Sequence, residues 1–84
     1  MNDMIFLVYN TTHETLKAES LLRDRMIKVR PIIKPVKIKS SCGMALQVKK
    51  DTIPVVLEIN DNEDFTFIGF FVKGSQHWEK VDVL

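Results

Sequence analysis

The sequence predicts a small α+β fold in which two helices are set between strands of one sheet. Three observations carry this reading. The apolar run Met4 to Tyr9 is too short for a core helix and rich in strand formers. Two later stretches repeat apolar residues at helical spacing, and alternating segments lie between and after them. At 84 residues the chain fits one domain, near the lower size at which a single core supports itself.

Met4-Ile5-Phe6-Leu7-Val8-Tyr9 reads as a strand buried on both faces and therefore central in a sheet. Asn10-Thr11-Thr12 supplies a turn, and Thr11 with Glu14 three residues later fits a capping box that opens a helix from about Thr12 to Arg25. Ala18, Leu21, Leu22 and Met26 form its apolar stripe, with Lys17, Glu19, Arg23 and Asp24 outward. Ile27 to Lys34 alternates as a half-exposed strand. Pro31 donates nothing to a ladder, so this strand belongs at an edge, where its lysines discourage stray pairing. Pro35 to Gly43 is a loop, and Met44 to Lys49 is a third strand. Asp51 is expected to cap a second helix with Pro54 in its first turn, Ile53, Val56 and Leu57 buried, and an end near Asn60 to Asn62. Phe65 to Val72 completes the set as a fourth strand.

With right-handed crossovers this order gives a ferredoxin-like βαββαβ sandwich: a four-stranded antiparallel sheet with both helices on one face. The first and third strands are then central and the second and fourth are edges. The domain spans residues 1–73, and 74–84 form a C-terminal extension. In that extension Trp78, Val81, Val83 and Leu84 are placed to dock on the open sheet face or on a second subunit. Phe65, Phe67, Phe70 and Phe71 cannot all face the helices. Some aromatic surface is therefore expected on the open face, covered by a homodimer or by the tail folding back.

Composition is that of an ordinary globular protein, 45% hydrophobic and 27% charged, which argues against disorder. Met1-Asn2-Asp3-Met4 lacks the basic start of a signal peptide, and the longest apolar run is far too short to span a bilayer. The single cysteine suits a reducing compartment, so a cytoplasmic protein is expected. Net charge is +1, but its distribution is uneven. From Arg25 to Lys50 no acidic residue interrupts the basic ones, whereas acids dominate from Asp51 onward. The middle of the chain thus carries a positive field.

Cys42, in Ser40-Ser41-Cys42-Gly43, lies within that field and is the residue with the most chemical promise. A thiol is a nucleophile as thiolate, and nearby cations or free amides favour that form. Lys37, Lys39 and the lysines of neighbouring strands supply charge, while Gly43 lets the backbone present the Ser40, Ser41, Cys42 and Gly43 amides as an anion-binding nest. A buried cysteine that merely fills space at a strand start is the competing reading. His13, in the first helical turn, suits a hydrogen-bonding role, and His77 falls in the tail. No metal-ligand spacing, catalytic triad or oxyanion motif is visible, so neither a metal, a cofactor nor an enzyme is expected. The third strand has no aromatic residue and the glycine-aromatic signature of RNA-binding sheets is missing, so no nucleic acid is expected either.

These residues resemble a small bacterial family of selenium/sulfur carrier protein-like domains. The resemblance rests on Thr12-His13, Ala18-Glu19 and Leu22 in the first helix, on Pro31 and Pro35, and most specifically on Ser40-Ser41-Cys42-Gly43-Met44-Ala45-Leu46. It covers about residues 4–72. It implies that Cys42 carries sulfur or selenium as a persulfide or selenopersulfide, without itself being an enzyme, and that protein donors and acceptors dock to it. It further implies that Thr12 and His13 assist the thiol if the loop after the first strand lies near Cys42, alongside Lys39 and the supporting Ser40, Ser41 and Gly43. The alternative is a protein-interaction or regulatory module in which Cys42 is structural.

Overall fold

The computed structural model describes residues 3–82; Val83 and Leu84, expected to dock with the tail, lie outside the described residues. Its elements are β1 (Met4–Tyr9), α1 (Thr12–Asp24), β2 (Arg30–Ile33), β3 (Met44–Lys49), a 3-10 turn (Lys50–Thr52), α2 (Ile53–Glu63), β4 (Phe67–Lys73) and β5 (Trp78–Val81). The sheet has five strands, all antiparallel, in the order β2-β3-β1-β4-β5. β1 and β3 are interior, as their apolar content requires.

The expected four-stranded sheet is corrected by β5. Gly74 N–H donates to the His77 carbonyl at 2.8 Å and closes a hairpin that lays β5 along β4. β4 is therefore not an edge; β5 takes that role. Trp78-Glu79-Lys80-Val81 is short and only weakly alternating, and it pairs because β4 would otherwise expose a row of unpaired backbone groups.

α1 opens on the Thr11 capping box. Thr11 Oγ1 accepts the Glu14 N–H at 3.1 Å and donates to the Glu14 carboxylate at 3.0 Å. Its end differs from the expectation in one respect. Met26 N–H donates to Arg23 O at 2.9 Å and Ile27 N–H to Leu22 O at 3.1 Å, the paired bonds of a Schellman motif. Met26 takes the left-handed position of that motif (φ 63°) and points to solvent at 92% exposure rather than joining the apolar stripe. In α2 the buried residues are Val56 and Ile59, with Ile53 packed beside them. Leu57 is exposed and Asp51 makes no cap, because the 3-10 turn advances the helix start and rotates its face. Asp64 ends α2 in the left-handed conformation, its N–H donating to Asn60 O.

Both helices cover one face. Ala18, Leu22, Val56 and Ile59 pack on Ile5, Leu7, Tyr9, Leu46, Val48 and Phe70, with Phe65 and Phe67 at the margin. Tyr9 is fully buried there, its hydroxyl donating to Asn60 Oδ1 at 2.5 Å. The opposite face carries aromatic side chains, as expected, and they are covered. Phe6 (2% exposed) and Phe71 (7%) lie there with Val8 and Ala45, roofed within the same chain. The Trp78 ring stacks on Phe6 at 4.2 Å between centroids, Ile38 packs down from the loop, and Lys73 reaches over the Phe6 ring. Of the two expected covers, the tail folding back is the one seen, through Trp78, with the Lys73 stem beside it.

Candidate functional site: a covered thiol at the start of β3

Antiparallel pairing of β1 with β3, with Leu7 opposite Leu46, puts the end of β1 beside the start of β3. The turn into α1 and the loop into β3 therefore share one end of the molecule. Ser41 N–H donates to Asn10 O at 2.7 Å, and Lys34 N–H to Gly43 O at 2.9 Å, tying the loop to β1 on one side and to the end of β2 on the other. Ser40 folds the loop internally: its hydroxyl donates to Cys42 O at 2.9 Å and accepts from Cys42 N–H at 3.3 Å. Two of the amides expected to form a nest are thus already engaged. Gly43 does not adopt a left-handed conformation, and a Cβ there would meet nothing within 4 Å.

These tethers turn the Cys42 side chain inward against α1. The residue is 1% exposed and its thiol is free. It nevertheless lies against a shallow surface depression, with Lys34, Val36, Lys39 and Ser41 around it. Its sulfur has polar partners. Thr15 Oγ1 lies 3.2 Å from Sγ, the Met44 N–H lies 3.4 Å away, and the Met44 carbonyl lies 3.5 Å away. The Thr12 hydroxyl adds a hydrogen bond and Lys34 adds positive charge. Burial alone would push the thiol up. The hydrogen bonds from Thr15, Met44 and Thr12, together with Lys34, outweigh it and hold the thiol below its ordinary value. Thr12 and Thr15 belong to the first turn of α1, so the positive end of the helix dipole acts in the same sense.

The partners suit both protonation states. As a thiol, Cys42 donates its proton toward the Met44 carbonyl. As a thiolate, it accepts from the Met44 amide and the Thr15 hydroxyl. Thr15 has one hydroxyl proton and two acceptors, Sγ and Thr11 O at 2.9 Å, so rotation about one bond redirects that proton when the sulfur ionises. Lys34 is 7% exposed, and its ammonium donates to the Ile38 carbonyl, which anchors it under the loop.

The residues singled out from sequence fall into two groups. Ser40, Ser41, Gly43 and Thr12 surround Cys42 as described. His13 is exposed on the solvent side of α1, apart from the sulfur's hydrogen-bond partners, and Lys39 is exposed on the rim. Thr15 and the Met44 amide were not singled out, and Lys34 was anticipated only among the lysines of neighbouring strands. Thr15 was legible in principle: it lies on the buried stripe with Ala18 and Leu22, where a hydroxyl needs a partner. Lys34 gave no such signal, since nothing in its spacing distinguishes a buried lysine from a solvated one.

Among the described residues no cluster of His, Cys, Asp and Glu could hold a metal ion, and no helix is long and apolar enough to cross a membrane. The family model described as "Putative Se/S carrier protein-like" matches residues 4–72. No curated protein and no solved structure matches the chain.

Proposed function

Since the chain belongs to the Se/S carrier protein-like family over residues 4–72, we propose that it carries sulfur or selenium on Cys42 as a persulfide or selenopersulfide, without catalysing a reaction of its own. The observation that carries this reading is the set of groups around Sγ. A space-filling cysteine needs no such partners; this one has hydroxyl donors, an amide and a cation, with Thr15 at 3.2 Å.

Loading needs no oxidant. The Cys42 thiolate attacks the outer sulfur of a donor persulfide. A bond forms between Sγ and that sulfur, the bond between it and the donor's inner sulfur breaks, and the donor leaves as a thiolate that takes up a proton. Delivery is the reverse with an acceptor nucleophile, and Cys42 is then the leaving group. A thiol held below its ordinary value leaves faster, so the same contacts serve both steps. With one cysteine the chain cannot discharge the persulfide into an internal disulfide, so donor and acceptor are both partners. A free thiol of this kind suits a reducing compartment, and a cytoplasmic location goes with this reading.

The competing reading, a structural Cys42 in an interaction module, draws on its 1% exposure. Incubation with a cysteine desulfurase and cysteine, followed by alkylation and mass spectrometry, separates the two. The carrier gains one sulfur on wild type and none on Cys42→Ser. A folded protein that gains none contradicts it.

A further inference from the structure

Carrying sulfur between proteins requires a place where they meet, and the loop that covers Cys42 has an unusual surface. Val36, in that loop, is 93% exposed, and Ile33, the last residue of β2 before it, is 85% exposed, bulky aliphatics with almost no cover. Val36 and Lys39 border the same depression as Cys42, and Lys37 follows Val36 in the exposed turn. Lys37 and Lys39 make no ion pair among the described residues; the ion pairs there are Lys17–Glu63, Arg23–Glu19 and Arg25–Glu58. The chain from Arg25 to Lys50 has no acidic residue that could neutralise them locally.

Resting on the carrier reading, we propose that Ile33, Val36, Lys37 and Lys39 form the docking surface for the protein that exchanges sulfur with Cys42, and that this partner presents carboxylates beside an apolar side chain. Uncompensated cations next to exposed aliphatic side chains fit an acidic protein loop: the charges orient the encounter and Val36 and Ile33 give it an apolar contact. A nucleic acid fits less well. Single strands bind where bases stack on aromatic rings, and this surface offers aliphatic side chains instead.

The test uses synthetic peptides bearing one cysteine persulfide flanked by Leu and by Asp, Asn or Lys, with a small uncharged persulfide as control. Wild type should accept sulfur fastest from the Asp peptide, by about fivefold over the Lys peptide at low salt, since exposed ion pairs are individually weak. The preference should fade as salt rises. Lys37→Glu/Lys39→Glu should reverse the order, each peptide's rate being taken relative to that of the small uncharged persulfide on the same variant. Ile33→Ser/Val36→Ser should slow all three peptides equally. Equal rates from the three peptides, or an unchanged order in the charge-reversed variant, would overturn the proposal. So would concentration-dependent self-association of wild type abolished by these substitutions, since a second copy would then be the occupant. Failure of the carrier reading looks different: no persulfide, from peptide or small donor, loads Cys42.

Discussion

Replacing Thr15 by valine removes the hydroxyl that faces Sγ while keeping the shape of a fully buried side chain. A hydrogen bond to a charged group contributes about 1.5–3 kcal/mol. Here the lower end applies, because the proton is also claimed by Thr11 O at 2.9 Å when the sulfur is neutral. At about 1.4 kcal/mol per factor of ten, the thiolate-to-thiol ratio at a pH below both midpoints should fall about tenfold. The weaker acid is also a stronger nucleophile, and with a Brønsted slope of about 0.4–0.5 each surviving thiolate reacts about threefold faster. The net loss in alkylation rate is therefore about threefold at low pH, turning into about a threefold gain once both proteins are fully ionised. The two pH–rate curves should cross. The fold should hold, because Thr11 O keeps its bond from Thr15 N–H at 3.1 Å. Thiolate ultraviolet absorbance followed against pH measures ionisation independently of reagent access, and alkylation kinetics measure the rest. Superimposable titrations of wild type and Thr15→Val would refute the argument, and Thr15→Ser should restore the wild-type curve.

Further outcomes follow from the same geometry. Lys34→Met keeps a long stem under the loop but removes the charge, so the Cys42 titration should move upward, by less than for Thr15→Val because the cation ranks last among the causes. Gly43→Ala should leave stability within about 0.5 kcal/mol and the thiol titration unchanged, since its backbone is not left-handed and a Cβ meets nothing; denaturant midpoints check the first and absorbance the second. Met26→Gly should stabilise the protein by about 0.5–1 kcal/mol by relieving a left-handed methionine, read from chemical denaturation. Burial raises the Tyr9 hydroxyl well above its ordinary value of 10.0, with Glu14 adding to this. Above that ordinary value the unfolded state loses a proton that the folded state keeps, so stability should fall with rising pH there; Tyr9→Phe should start less stable and lack that fall. The depressed Cys42 thiol acts oppositely: its stability contribution is present above the unfolded thiol value and lost as pH falls through the folded one.

Much of the sheet was legible because the signals were local and strong. Met4 to Tyr9 and Met44 to Lys49 are strands with the bounds their patterns give, and Pro31 does mark an edge. The misses arose from local backbone choices that side-chain pattern does not show and from tertiary context. Met26 left its stripe because the Schellman bonds needed a left-handed residue at that position. Leu57 and Asp51 changed roles because a 3-10 turn shifted the register of α2. β5 exists only because β4 offered an edge. The site was half legible: the thiol and its loop announced themselves through residue type and Thr12 through the family resemblance, whereas Thr15 and Lys34 became partners of Sγ only when the fold brought them to the end of the molecule that holds Cys42. Gly43 misled, because a glycine next to a cysteine suggests special backbone and this position has none.

Sulfur moving through Cys42 is tested most directly by a load-and-chase experiment followed by mass spectrometry. Wild type treated with a persulfide donor, desalted and then chased with a thiol acceptor should gain one sulfur at Cys42 and lose it again, while Cys42→Ser does neither. A well-folded wild type that never gains the sulfur, or a Cys42→Ser variant that gains it equally, would contradict the account.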